Sequence, residues 1–159
     1  MKNALIQLKP QDLILLMKIV SLKGEKWTQI ELADALEMSQ SEISEATKRC
    51  KYAGLLQPNG KKLMRMALME FLQYGVSYVF PQKPGALVRG VVTAHSAPPL
   101  NEQISANEAY VWPYAKGNTR GQAVTPLYPS VPKAALKDAQ LHELLALVDA
   151  LRVGRAREK

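Results

Sequence analysis

Two helix-start signatures, at Thr28 and Ser39, constrain this chain more than any other feature of it. Thr28 precedes Glu31 and Ser39 precedes Glu42. Each pair has the form of a capping box, in which a hydroxyl satisfies the amide three residues on and the acidic side chain reaches back. Two helix starts so close together allow the first helix only about three turns. The second runs from Ser39 to about Ala53, where Gly54 stops it. Ile30, Ala33 and Leu36 face inward in the first helix on this reading, and Ile43 anchors the second.

This is the anatomy of a helix-turn-helix. One helix braces, with the small residue Ala33 where close packing needs it. The other presents Gln40, Ser41, Ser44, Glu45, Lys48 and Arg49. Short polar side chains near a helix N-terminus are what a major groove reads. Charge agrees with that reading. The chain has 21 basic and 14 acidic residues, a formal net charge of +7. From Ala46 to Met66 six residues are basic (Lys48, Arg49, Lys51, Lys61, Lys62, Arg65) and none is acidic. Such a stretch favours a polyanion. A second basic run closes the chain at Arg152, Arg155, Arg157 and Lys159.

Around these helices, residues 10–23 read as a largely buried helix with Pro10 and Asp12 in its first turn and Gly24 after its end. Pro58-Asn59-Gly60 is a tight turn. Residues 61–75 read as a helix that is apolar on nearly every side. Beyond Gly75 the texture changes, and eight of the ten prolines fall between Pro81 and Pro132. Short strands are predicted at 76–80, 86–93 and 109–112 within extended loop. Tyr110, Trp112, Tyr114, Leu127 and Tyr128 are the anchors that order it. A final helix is predicted from Lys133 to about Val153, equally suited to core packing or an oligomer contact.

The segment from about Gln11 to Lys62 resembles the winged helix-turn-helix domains of bacterial transcriptional regulators, the MarR-like group in particular. Thr-Gln-Ile-Glu-Leu-Ala-Asp-Ala-Leu at 28–36, Met-Ser-Gln-Ser-Glu-Ile-Ser-Glu-Ala-Thr-Lys-Arg at 38–49 and Tyr-Ala-Gly-Leu-Leu at 52–56 carry the likeness. The resemblance implies that the first stretch braces, the second is the recognition helix, and Gly-Leu-Leu leads into a wing. The chain departs from the pattern after Lys61, where helix is predicted in place of a second wing strand. The wing is therefore short or absent, with Asn59, Lys61 and Lys62 as its remainder.

The expected class is α+β, mostly α. A helix-turn-helix domain at 1–75, winged-helix-like with a short wing, precedes a proline-rich extension at 76–159 with short strands and a C-terminal helix. The expected function is sequence-specific binding of double-stranded DNA as a repressor-type transcriptional regulator. Gln40, Ser41 and Ser44 meet base edges, with Thr28, Gln29 and Ser39 at the two helix starts. Glu45 accepts from a cytosine amino group or repels phosphate. Lys48, Arg49, Lys51, Asn59, Lys61 and Lys62 hold the backbone. One such helix reads too few base pairs alone, so a homodimer is expected. The alternative is an antitoxin-like or other interaction module whose 81–132 segment binds a partner protein.

No catalytic residue, cofactor or metal site is expected. His95 and His142 lie far apart, and neither a metal-ligand spacing, a phosphate loop nor a nucleophile elbow occurs. Arg89, Thr93, His95, Ser96 and Arg120 read as loop-holding polar residues, or less readily as an anion site. Cys50, the single cysteine, reads as a buried filler, and as a redox sensor only if its thiol is activated. One cysteine, no signal-peptide pattern after Met1-Lys2-Asn3-Ala4 and no long apolar run make a cytoplasmic protein without membrane contact the expectation.

Overall fold

Burial of one helix on nearly all sides organises the fold. The structure, a computed structural model, describes residues 5–102 and 108–153. In α1 (Pro10–Ser21) the run Asp12 to Met17 is entirely buried, together with Ile19. A helix apolar all round must sit at the centre. It packs against α2 (Gln29–Leu36), α3 (Gln40–Tyr52) and the last helix, α7 (Ala139–Val153). Proline supplies the first turn of α1, and Asp12 folds back to accept from the Lys9 amide at 2.8 Å.

At both helix-start signatures the hydroxyl half of the capping box forms, and the acidic side chain does not reach back to the cap amide. The Thr28 hydroxyl accepts from the Glu31 amide at 3.2 Å, and the Ser39 hydroxyl accepts from the Glu42 amide at 3.0 Å. Three residues join the helices. Glu37, at φ 55°, supplies the left-handed turn, and Met38 is buried beneath it. The inward face of α2 is Leu32, Ala33 and Leu36. Ile30 was expected there and is instead 63% exposed. A helix capped at Thr28 turns its second residue outward when Leu32, Ala33 and Leu36 take the buried stripe.

After α3 the chain makes a minimal hairpin. Leu56 and Leu63 form an antiparallel bridge, the Gln57 amide donates to Lys62 O at 2.8 Å, and the Met64 amide donates to Leu55 O at 2.9 Å. Because Lys62 and Met64 bond backwards, the next helix, α4 (Arg65–Tyr74), begins four residues later than the expected 61. The strand expected at 76–80 is a helical turn, α5 (Val76–Val79). Its valines favour a strand, but no partner strand adjoins them, and Val76 is buried where α5 packs on α7.

The proline-rich half holds the sheet. β1 (Leu87–Val92) lies antiparallel to both β2 (Tyr110–Pro113) and β3 (Thr119–Ala123), while β2 and β3 are parallel, closing a three-stranded barrel. Val91 faces Trp112 in register and Arg89 faces Arg120. So tight a barrel leaves no room for some side chains. A Cβ on Gly90 would lie 1.9 Å from Trp112 O, and one on Gly117 would lie 2.2 Å from Gly90 O. β3 was not expected, since Thr-Arg-Gly-Gln-Ala carries no apolar alternation.

The helix expected from 133 to 153 is two, α6 (Val131–Leu136) and α7. Asp138 makes the break. Its carboxylate accepts from the Leu141 amide at 3.1 Å, starting α7, and pairs with Lys18 of α1 at 2.6 Å. Among the described residues there are seven α-helices and one three-stranded sheet, an α+β protein in which helix predominates. The largest buried cluster takes Leu13, Leu36, Ile43 and Leu68 from before residue 75, and Trp112, Val131, Leu141 and Leu145 from after it.

A buried polar hub ties the barrel to α7. Asp149 is 1% exposed and accepts from Thr93 Oγ1 at 2.7 Å, Trp112 Nε1 at 2.6 Å and Arg152 Nη1 at 2.7 Å. Burial pushes its carboxyl above the ordinary range, while Arg152, Thr93 and Trp112 pull against that push. Arg152 also donates to Phe80 O and Thr125 O. Arg152, the first member of the closing basic run, is a core residue. The rest of that basic run, from Arg155, lies outside the described residues.

Candidate nucleic-acid interface

Helical spacing divides α3 into two faces. Ile43, Ala46, Thr47 and Cys50 are buried, and Ser41, Glu45, Lys48, Lys51 and Tyr52 are exposed, with Ser44 half-buried between them. Ser39 and Gln40 are exposed at the N-terminus. Thr28 is exposed at the start of α2, with Gln29 half-buried beside it. Glu45 and Lys48 sit 3.4 Å apart on the open face, a contact too exposed to fix either side chain.

One expected phosphate ligand turns away. Arg49 donates from Nε to Asp12 Oδ2 at 2.8 Å and from Nη2 to Asp12 Oδ1 at 2.9 Å, and its side chain is only 12% exposed. The Asp12 carboxylate raises its pKa further, against the opposing effect of burial. A guanidinium held bidentately by a fully buried carboxylate is not free for phosphate. Arg49 instead fixes α3 to α1, and Gln11 adds a bond to Glu42 at 3.3 Å.

The Pro58–Lys62 turn lies against the C-terminal part of α3. Gly60, at φ 71°, is packed so that an added Cβ would lie 3.2 Å from Lys51 Cδ and 3.4 Å from Thr47 Cγ2. Asn59 Oδ1 accepts from the Lys61 amide at 2.8 Å and shapes the turn. Lys61 Nζ stands 4.6 Å from the centroid of the Trp27 ring, which pins the turn to the chain entering α2. Lys51, Asn59, Lys61 and Lys62 are thereby brought together with exposed surfaces. The α1–α2 loop carries exposed Lys23 and Lys26, which the sequence reading missed, with exposed Glu25 between them. Their only signal is position, beside the tryptophan that Lys61 covers.

The turn between α2 and α3 is clamped from the far end of the chain. Glu37 pairs with Lys133 at 2.7 Å and Lys137 at 3.1 Å, and these contacts hold its carboxyl below the ordinary range. Lys137 also donates to Asp34 O at 3.0 Å, and Ser130 to Leu36 O at 2.8 Å.

Of the polar residues read as loop-holding or as an anion site, His95 and Ser96 hold backbone. His95 is buried, with Nε2 3.0 Å from Glu108 O and its ring against Tyr110. Ser96 accepts from the Tyr110 amide at 2.9 Å, and Thr93 serves Asp149. Arg89 and Arg120 are exposed on the barrel. Burial pushes the Cys50 thiol far up, the reverse of what a redox sensor needs. Among the described residues no group of three or more histidine, cysteine or acidic side chains gathers as a metal site, and no helix is long and apolar enough to cross a membrane.

Comparison with protein families, with curated proteins and with solved structures finds no match for this chain.

Proposed function

We propose that α1 to α3 and the Leu55–Met64 hairpin act as a helix-turn-helix with a short wing that binds double-stranded DNA, making the protein a transcriptional regulator of repressor type. The carrying observation is the open face of α3, Ser41, Ser44, Glu45 and Lys48, running on to Lys51 beside Lys61 and Lys62. On this reading α3 enters the major groove, where Gln40, Ser41 and Ser44 meet base edges and Glu45 selects a cytosine amino group. Lys48, Lys51, Lys61 and Lys62 neutralise phosphates, and Lys23 and Lys26 extend that grip. A homodimer on two half-sites about 34 Å apart supplies the specificity that one helix lacks.

The reading of 81–132 as a protein-binding segment loses its anchors, because Tyr110, Trp112 and Leu127 are buried in the protein's own core. The clamp on Glu37 from Lys133 and Lys137 favours a bracing role for the second half of the chain.

Binding to random duplex DNA across a salt series tests the proposal. Wild type is compared with Lys48→Ala/Lys51→Ala and Lys61→Ala/Lys62→Ala. Affinity should fall as salt rises, and each double variant should flatten the log–log slope by about 2. A folded protein that fails to bind duplex at low salt removes the reading.

A further inference from the structure

An apolar groove of about 570 Å³ opens between α4 and α7. Its floor is Leu68 and Val148, both buried, and Leu147 and Met69 stand on opposite walls. Only two of the lining residues are polar, Arg65 and Gln73, and none is acidic. These two are separated along α4 by eight residues, roughly 12 Å at the helical rise. The groove is thus an apolar trough with a cation at one end and an amide at the other. Arg65 makes no salt bridge among the described residues. Arg65 begins a helix whose first turn has neither a side-chain cap nor an acidic residue. Arg65 is exposed and also lines an adjoining recess with Glu25, Lys61 and Lys62, so positive charge is in excess at that end.

We propose that this groove binds a free amphipathic monocarboxylate, its carboxylate on Arg65 and an unbranched tail of about eight to ten carbons lying toward Gln73. The volume falls within the usual range for small-molecule sites, and the lining has their usual balance of many apolar groups and few polar ones. Charge complementarity selects this occupant over a purely apolar one. The site adjoins the proposed DNA-binding surface, because its lining residue Leu63 is the one that pairs with Leu56 in the hairpin. Ligand binding itself rests on no DNA contact and is read without DNA.

The test is calorimetric titration of the full chain with decanoate at monomeric concentrations, alongside decanol and butyrate. Saturable binding of one decanoate per chain is expected, with butyrate at least a hundredfold weaker for its missing methylenes. Arg65→Gln should weaken decanoate about tenfold and leave decanol unchanged, isolating the carboxylate contact. Met69→Glu, a change at an exposed position, should abolish decanoate binding while the protein keeps its melting temperature. Equal decanoate affinity in wild type and Arg65→Gln overturns the proposal. So does binding to anionic phospholipid vesicles without binding of monomeric decanoate. So too does sedimentation as a dimer that Met69→Glu dissociates, with no decanoate bound by wild type, since a second copy would then be the occupant.

Discussion

Asp12 and Arg49 meet through two parallel hydrogen bonds of 2.8 and 2.9 Å, joining the central helix to the helix proposed to read DNA. Asp12 is fully buried and Arg49 nearly so, so removing either leaves the other charged and unpaired. We expect Asp12→Ala and Arg49→Ala each to cost about 3 kcal/mol of stability, whereas exposed Lys48→Ala stays within about 0.5 kcal/mol. Arg49→Lys keeps the charge but loses the fork, and should behave like the alanine variant. Urea unfolding midpoints decide. An Arg49→Ala protein as stable as wild type would show that this pair does not hold the helices.

Asp149 poses the same question in the second half of the chain. Three donors converge on it, and its neighbour Arg152 is 6% exposed. Asp149→Ala should cost about 3–5 kcal/mol, because it strands a buried guanidinium together with the Trp112 and Thr93 donors. Asp149→Asn keeps an oxygen for Trp112 and Thr93 and should cost less. Thermal unfolding gives the ordering, and tryptophan emission reports on Trp112. If both substitutions leave the melting temperature unmoved, the hub is not holding α7 to the barrel.

Legibility in the sequence followed the range of the interactions. Thr28, Ser39, Pro10 and Gly54 act on backbone within a turn of themselves, so the starts of α2 and α3 and the end of α3 could be read directly. The exposed face of α3 followed from helical spacing except at Arg49, which turns in to Asp12. What stayed hidden depended on distant partners. Asp12 and Arg49 are 37 residues apart, and Thr93 and Asp149 are 56 apart. Buried partners of that kind look in sequence like solvated polar residues. β3 was hidden because its residues are chosen by closure of a small barrel, where Gly121 must lie against Ala109, and not by apolar alternation. The strand expected at 76–80 failed for the converse reason, since its valines had α7 and no strand beside them.

Acid should unfold the protein through two named carboxylates. Lys133 and Lys137 hold Glu37 below its ordinary value of 4.5. At Asp138 burial pushes upward from 3.8, but Lys18 and the Leu141 amide outweigh it and the net shift is downward. A carboxyl depressed in the folded state stabilises above its unfolded value, and that contribution is lost as pH falls through the folded value. Asp149, raised by burial, works oppositely: it favours the fold below its unfolded value and loses that contribution as pH rises. Stability should therefore decline below about pH 4.5. Glu37→Gln/Asp138→Asn should flatten that decline, and Asp149→Asn should steepen it. Denaturant midpoints from pH 6 to pH 3 measure the slopes, and a double variant with the wild-type slope would remove both groups from the account.

Arg89 and Arg120 stand directly opposite each other on antiparallel strands, both exposed. Like charges at cross-strand positions repel, and an opposite pair there contributes roughly 0.2–1 kcal/mol. Arg120→Glu should therefore raise stability, and the gain should shrink as salt screens it. Arg89→Glu should do the same, while Arg89→Glu/Arg120→Glu restores like charges and should forfeit the gain. The pattern depends on register, because a slip of one residue sends the two side chains to opposite faces of the barrel. Melting temperatures of the four proteins at low and high salt carry the test. Four equal values would mean that β1 and β3 do not pair as Arg89 with Arg120.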